Sequence, residues 1–281
     1  MKTALTFCLS LLLITACQQG PSNSRPSPSP RTSPTPTPIS TPIPTPTPSP
    51  SADNSGVLVN PSIHSGCDGA AILCAEGTPC ALPSCLPSPP PLRQDAPLFI
   101  EESRYDALKT RFGLFSVSRA EDTLGGLSPQ LPIAKGLKAN CSAGEGLYSN
   151  GGRLNACVVY IVQTGSDFVL LSTPADVRAR FAPVETPEEA VSFAAMLTGD
   201  EPRYELDLDQ SWRFYASSIT PTRVSQNGDA YSLTLFDYQF FGCGPHPYFS
   251  IGYSVSHGGE VRETSRNKAF EDPAKDGLCV D

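Results

Sequence analysis

The sequence is poor in histidine and lacks the short motifs of the commonest enzyme classes. Only three of its 281 residues are histidines, so a three-histidine metal site would need all of them. No Gly-x-Ser-x-Gly sequence is present, and no glycine-rich loop of the kind that cradles phosphate. We therefore expect no metal and no cofactor, and we expect the protein to act by binding rather than by catalysis.

Basic residues are outnumbered by acidic ones. The 20 lysines and arginines stand against 28 aspartates and glutamates, which gives a formal net charge of −8. Such a chain repels polyanions, so we expect no nucleic acid partner. Neither sign of charge forms a block, and no basic amphipathic helix offers a second membrane contact.

Long hydrophobic runs are absent after the first sixteen residues. A spanning helix needs about 20 apolar residues, and no later segment approaches that length. The one early run, from Leu5 to Ile14, is also too short, and it follows the positively charged Lys2. A basic start, a short apolar core and small residues are typical of a secretory signal peptide.

This signal ends in the tetrapeptide Ile14-Thr15-Ala16-Cys17. With that ending it resembles the signal of a bacterial lipoprotein. The resemblance covers the first twenty residues and does not identify the family of the folded part. It implies that residues 1–16 are removed and that Cys17 is lipidated, becomes the new N-terminus and attaches the protein to the membrane.

Two further points bear on the predicted location of the protein. An ordinary signal peptide cut near Ala16 is the alternative, but a free cysteine just past an export signal would be a liability. Gln18 follows the cysteine, where an aspartate would suggest retention at the inner membrane. By resemblance we expect a cell-envelope protein, in the outer membrane if the organism is Gram-negative.

Residues 17–56 form a proline-rich segment behind the anchor. From Pro21 to Pro50 the chain is almost all proline, serine and threonine, and such a composition cannot bury apolar surface. Proline favours polyproline II, in which this stretch would reach roughly 90 Å if fully extended. We interpret the segment as a stalk, with a passive linker as the alternative.

The cysteines indicate an oxidised domain. Of the ten, Cys8 and Cys17 belong to the signal, and the other eight are Cys67, Cys74, Cys80, Cys85, Cys141, Cys157, Cys243 and Cys279. An even number in an exported chain predicts disulfides. Proximity pairs Cys141 with Cys157 and the first four among themselves, which leaves Cys243 for Cys279. Zinc is the alternative for the first four, although their spacings are wider than those of structural zinc sites.

The folded part divides into a cysteine- and proline-rich loop segment, residues 57–97, and a domain, residues 98–281. Thr186-Pro187 with Glu189 predicts the capped start of a helix over 187–198, with Gly199 as its stop. Alternating apolar residues and the Asn227-Gly228 turn predict antiparallel strands after residue 212. We expect an α+β fold in which a β-meander is covered by this helix.

The segment between two predicted strands, residues 242–247, offers the best candidate site. Aromatic residues concentrate around it, and we predict a binding surface for an unknown protein or small ligand at Phe240, Phe241, His246 and Tyr248. The alternative is an extracytoplasmic enzyme, a hydrolase, with its site near this loop. An enzyme would hold His246 or His257 beside a carboxylate or a free thiol.

Overall fold

The structure is a computed structural model that describes residues 57–76, 80–82, 92, 95–152 and 154–280. The predicted signal peptide, Cys17, the stalk of residues 17–56 and Cys85 lie outside the described residues. The α-helices are α1 (Tyr105–Phe112), α2 (Pro174–Phe181) and α3 (Pro187–Thr198). None of these helices is long and apolar enough to cross a membrane.

The described residues contain sixteen strands. They are β1 (Leu58–Val59), β2 (Ser62–Ser65), β3 (Ala71–Cys74), β4 (Ser116–Arg119), β5 (Ile133–Lys138), β6 (Tyr148–Gly151), β7 (Ala156–Thr164), β8 (Asp167–Leu171), β9 (Arg213–Phe214), β10 (Ser218–Ile219), β11 (Val224–Asn227), β12 (Ala230–Tyr238), β13 (Gly242–Cys243), β14 (Pro247–Ser256), β15 (Val261–Glu271) and β16 (Cys279–Val280).

The main sheet has the order β1-β9-β15-β14-β12-β11, and its neighbouring strands are antiparallel. Its centre is the meander expected from the alternating sequence, in which β12 pairs with β14 over nine residue pairs from Ala230↔Ser256 to Tyr238↔Tyr248. Gly228, with a positive φ of 61°, lies in the turn that joins β11 to β12. The fold is therefore the predicted α+β arrangement, with a meander covered by α3.

A second sheet shares the core with α3 and the main sheet. It has the order β4-β5-β7-β6, and β8 also pairs with β7. The largest core cluster joins apolar side chains of both sheets to those of α2 and α3. Helix α3 is accordingly buried on all sides from Glu189 to Met196.

The local signals for the helices are found at the predicted places. Thr173 and Thr186 each accept a hydrogen bond from the backbone at the third helical residue, which completes a capping box at the start of α2 and of α3. Gly199 ends α3 with a left-handed φ of 80°. A short 3₁₀ turn precedes α1, and Arg104 is the N-cap residue of that helix.

The segment 57–97 was expected to consist of loops, but its described residues contain three short strands. Strand β1 pairs with β9 of the main sheet, and β3 pairs with β10. The reason is that β9 and β10 offer unpaired backbone groups that short extended pieces can satisfy.

Disulfides connect cysteines in the way that their proximity suggested. Cys74 is bonded to Cys80, Cys141 to Cys157, and Cys243 to Cys279. Cys67 is also disulfide-bonded, so all seven cysteines of the described part are oxidised.

Candidate functional site

The loop predicted to carry the site is held by the C-terminal end of the chain. Strand β13, at the start of the loop, pairs with β16, and the disulfide joins Cys243 to Cys279 across this pair. Two prolines and the disulfide restrict the loop, which leads from the end of β12 back to the start of β14.

His246 does not belong to the exposed binding surface that was predicted for it. Its side chain is 2% exposed, with Nδ1 2.9 Å from the carbonyl oxygen of Gln239 and Nε2 3.3 Å from that of Leu278. The ring is buried because it connects the loop to the C-terminal segment. His257 likewise has Nδ1 2.9 Å from the carbonyl oxygen of Val184. Within the described part, neither ring makes a hydrogen bond to a carboxylate or thiol, which is the arrangement that the alternative, an enzyme, would have required.

A cleft of about 630 Å³ lies beside this loop. One wall comes from the second sheet, the other from β12, β14 and the chain between them, and the end of α3 forms its floor. Phe240, Phe241 and Tyr248 all line the cleft, so three of the four predicted surface residues share one concave site. His246 is not among the lining residues.

The wall on the main sheet is aromatic. The rings of Tyr238 and Tyr248 are stacked with centroids 4.5 Å apart, and Phe240 meets Phe241 edge-on at 5.2 Å. Phe240 is 49% exposed, which is unusual for a phenylalanine. The wall therefore offers apolar surface to a molecule that enters the cleft.

Two glycines leave room for aromatic rings to pack at the ends of the cleft. A Cβ atom on Gly199 would lie 2.4 Å from the ring of Tyr148, and one on Gly151 would lie 2.4 Å from the ring of Phe241. Both glycines also have positive φ, 80° and 72°. Phe241 thus reaches from the main sheet to β6 of the second sheet, and Tyr148 reaches from β6 to the end of α3.

A network of polar groups lies on the opposite wall. The Lys135 ammonium is 2.5 Å from Glu121 Oε1, and the Tyr160 hydroxyl donates to Glu121 Oε2 at 2.7 Å. Tyr148 shares a hydrogen bond with Tyr160 at 3.3 Å. Burial raises the pKa of the Tyr160 hydroxyl well above its usual range, and Tyr148 and Glu121 add to this. Burial alone would lower the pKa of Lys135, but the oxygens of Tyr148 and Glu121 outweigh it and raise that pKa.

Asp200 is the most perturbed carboxyl group of the cleft. It is 7% exposed and directly follows Gly199, and its Oδ2 accepts a hydrogen bond from the Tyr253 hydroxyl at 2.5 Å. Burial raises the pKa of Asp200 to about 6, against the lowering effect of the Tyr253 hydrogen bond. No described residue donates a hydrogen bond to its other oxygen, Oδ1.

The raised pKa of Asp200 predicts a pH-dependent effect on stability. The folded protein keeps the proton of Asp200 between pH 3.8 and about 6, whereas the unfolded chain releases it. The contribution of Asp200 to the free energy of unfolding therefore falls as the pH rises from 3.8 to about 6, and it is lowest above pH 6. We expect Asp200→Asn, which removes the buried charge, to stabilise the protein by about 1–3 kcal/mol near pH 8 and to have little effect near pH 4.

Thermal unfolding of the purified protein at both pH values measures this difference. Asp237→Asn is the control, since Asp237 lines the same cleft but is a half-exposed partner of Arg266 at 2.8 Å. We expect Asp237→Asn to change the free energy of unfolding little, and by a similar amount at both pH values. If Asp200→Asn destabilised the protein equally at both pH values, the inference that the buried charge of Asp200 costs stability would be wrong.

Sequence reasoning missed the polar half of the cleft. Glu121, Lys135, Tyr160 and Asp200 are far apart in the chain, and no motif contains them. The one local signal is a tyrosine in the apolar run of β7, because a hydroxyl buried in such a run needs a partner. Among the described residues, no group of three or more histidine, cysteine, aspartate or glutamate side chains could hold a metal ion.

Comparison with known proteins assigns no family to this chain. No protein-family model, no curated protein and no solved structure matches it significantly. The function proposed below therefore depends on the residues of this chain alone.

Proposed function

We propose that this protein is a lipid-anchored lipoprotein of the cell envelope whose stalked, disulfide-stabilised domain binds a ligand in the cleft. The anchor and the stalk are supported by the lipoprotein-like signal up to Cys17 and by the proline-rich segment 17–56. The domain beyond them has its described cysteines oxidised, which suits an exported protein.

The observation that carries the binding function is the cleft itself. Its volume of about 630 Å³ falls in the range of small-molecule sites, and it combines an aromatic wall with a few polar groups, as such sites do. Asp200 lines the cleft with a pKa raised by burial, and perturbed carboxyl groups of this kind are enriched at functional sites. A small ligand fits these features better than a protein partner, which would need a broader and flatter surface.

A fragment screen tests whether the cleft binds small molecules. We expect several members of a general fragment library to shift the NMR methyl signals of Ala195 and Thr198, which line the floor. Asn150→Trp places a large side chain on the lining and should abolish these shifts. Ser142→Trp, at an exposed position outside the lining, is the matched control and should leave them unchanged. Fragments that bind only elsewhere would refute a ligand site in the cleft.

A second function, that of an extracytoplasmic hydrolase, is favoured by one observation. The cleft holds two carboxyl groups in different surroundings, Asp200 with a pKa of about 6 and Glu121 paired with Lys135. Carboxyl groups set apart in this way often serve as acid and base. This function would appear as chemical change of a bound molecule that Asp200→Asn abolishes, whereas a binding protein returns its ligand unaltered.

A further inference from the structure

We infer that the ligand of the cleft is an organic cation, a small amine or quaternary ammonium, whose charge is met by Asp200 and Glu201 and whose carbon groups contact Phe240 and Phe241. This inference rests on the proposed function, since it names the chemical class of molecule that the cleft would bind.

The first support is the balance of charge on the cleft wall. The lining contains four carboxylates, Glu121, Asp200, Glu201 and Asp237, and one cation, Lys135. Lys135 neutralises Glu121, and Arg266 neutralises Asp237 from outside the lining. Asp200 and Glu201 remain without an ion pair in the described part of the chain. The lining is therefore negative, and it would repel an anionic ligand.

The second support is the unused hydrogen-bonding capacity of these two neighbours. Asp200 is more than nine-tenths buried and lines the cleft, yet its Oδ1 accepts no hydrogen bond from any described residue. Glu201 is exposed, and among the described residues only its backbone is bonded, to Phe236 on β12. Ionised carboxylates only accept hydrogen bonds, so a ligand at this point must donate or carry positive charge.

The third support is the behaviour of the aromatic wall towards cations. Arg203 lies 4.3 Å from the ring centroid of Tyr248, and Lys275 lies 5.1 Å from that of Tyr238. Both cations belong to the protein and lie outside the lining, so they hold the wall without occupying the cleft. Phe240 and Phe241 have no such cation within the described residues. Phe240 is 49% exposed, so its ring is left for a ligand, and aromatic faces bind quaternary ammonium groups in this way.

Choline and 3,3-dimethylbutan-1-ol, its neutral isostere, test the inference with the full-length protein in detergent. The two probes have the same shape and the same hydroxyl group, so a difference in affinity reports the charge. At about pH 8, where Asp200 is ionised, we expect choline to bind about tenfold more tightly, with shifts of the Ala195 and Thr198 methyl signals.

Substitutions in the cleft test which residues bind the positive charge of choline. Glu201→Gln and Asp200→Asn together should lower choline affinity about tenfold and leave the neutral probe unaffected, and Phe240→Leu should weaken choline alone. Glu260→Gln, at an exposed position outside the cleft, is the control and should change neither affinity.

Two results would overturn the inference. If both probes bind equally and shift the cleft methyl signals, the cleft binds ligands but does not select a cation, and the proposed function stands. If choline causes no shift of these signals at millimolar concentration, the cleft does not take organic cations, and the fragment screen alone decides whether it binds anything.

Discussion

Replacing Cys17 with alanine is expected to move the protein from the membrane fraction to the soluble fraction. The proline-rich sequence from Pro21 to Pro50 contains no apolar run that could insert into a membrane. A lipid on Cys17 would contribute about 0.8 kcal/mol for each buried methylene group, so that its loss removes the whole attachment. Cell fractionation followed by immunoblotting measures the distribution, and nearly all of the variant should become soluble.

Cys8→Ala is the matched control for this experiment. Cys8 lies inside the apolar run of the signal, so its replacement should leave the protein in the membrane fraction. The intact mass of each form is needed as well, because a variant that keeps residues 1–16 would remain bound through the uncleaved signal. A Cys17→Ala protein that has lost residues 1–16 and still sediments with membranes would refute the anchor.

Replacing Phe193 with alanine is expected to destabilise the domain more than any exposed aromatic substitution. Phe193 is 1% exposed on α3 and belongs to the largest core cluster, and its ring lies against Gly259, where an added Cβ atom would be 2.8 Å from Cζ. Phenylalanine-to-alanine changes in such cores cost about 3–5 kcal/mol through lost burial and the cavity left behind. A domain of this size should then melt roughly 10 °C lower.

The same substitution at Phe240 provides the control. Phe240 is 49% exposed, so Phe240→Ala should change the free energy of unfolding by no more than about 0.5 kcal/mol. Calorimetry of both variants at neutral pH compares the two positions directly. Equal melting temperatures would mean that α3 is not the buried centre of the fold.

The position of α3 also connects the core to the cleft. Its last turn supplies Ala195 and Thr198 to the cleft floor and Gly199 follows it there, while its earlier turns are buried in the core. Two disulfides close loops that carry the walls, with Tyr148 between Cys141 and Cys157, and Tyr248 between Cys243 and Cys279. The core and the disulfides therefore hold the shape of the cleft, which would lower the entropy cost of the binding that we propose.

Local features of this protein could be predicted from the sequence. The capping box of Thr186 and Glu189, the turn at Asn227-Gly228 and the alternation along β14 each depend on residues a few positions apart. The pairing of Cys141 with Cys157 follows from proximity in the same way. Such features do not depend on the tertiary structure, because the interacting groups are only a few residues apart in the chain.

The second sheet, the burial of His246 and the polar half of the cleft were decided by the tertiary structure. His246 is buried by its contact with Leu278, 32 residues further along the chain. Glu121 and Asp200 are 79 residues apart in the chain and share one cleft only in the folded domain, where both sheets and α3 contribute to one core. These positions depend on long-range packing, which no local pattern encodes, so the sequence indicated the aromatic wall and not the carboxylates of the cleft.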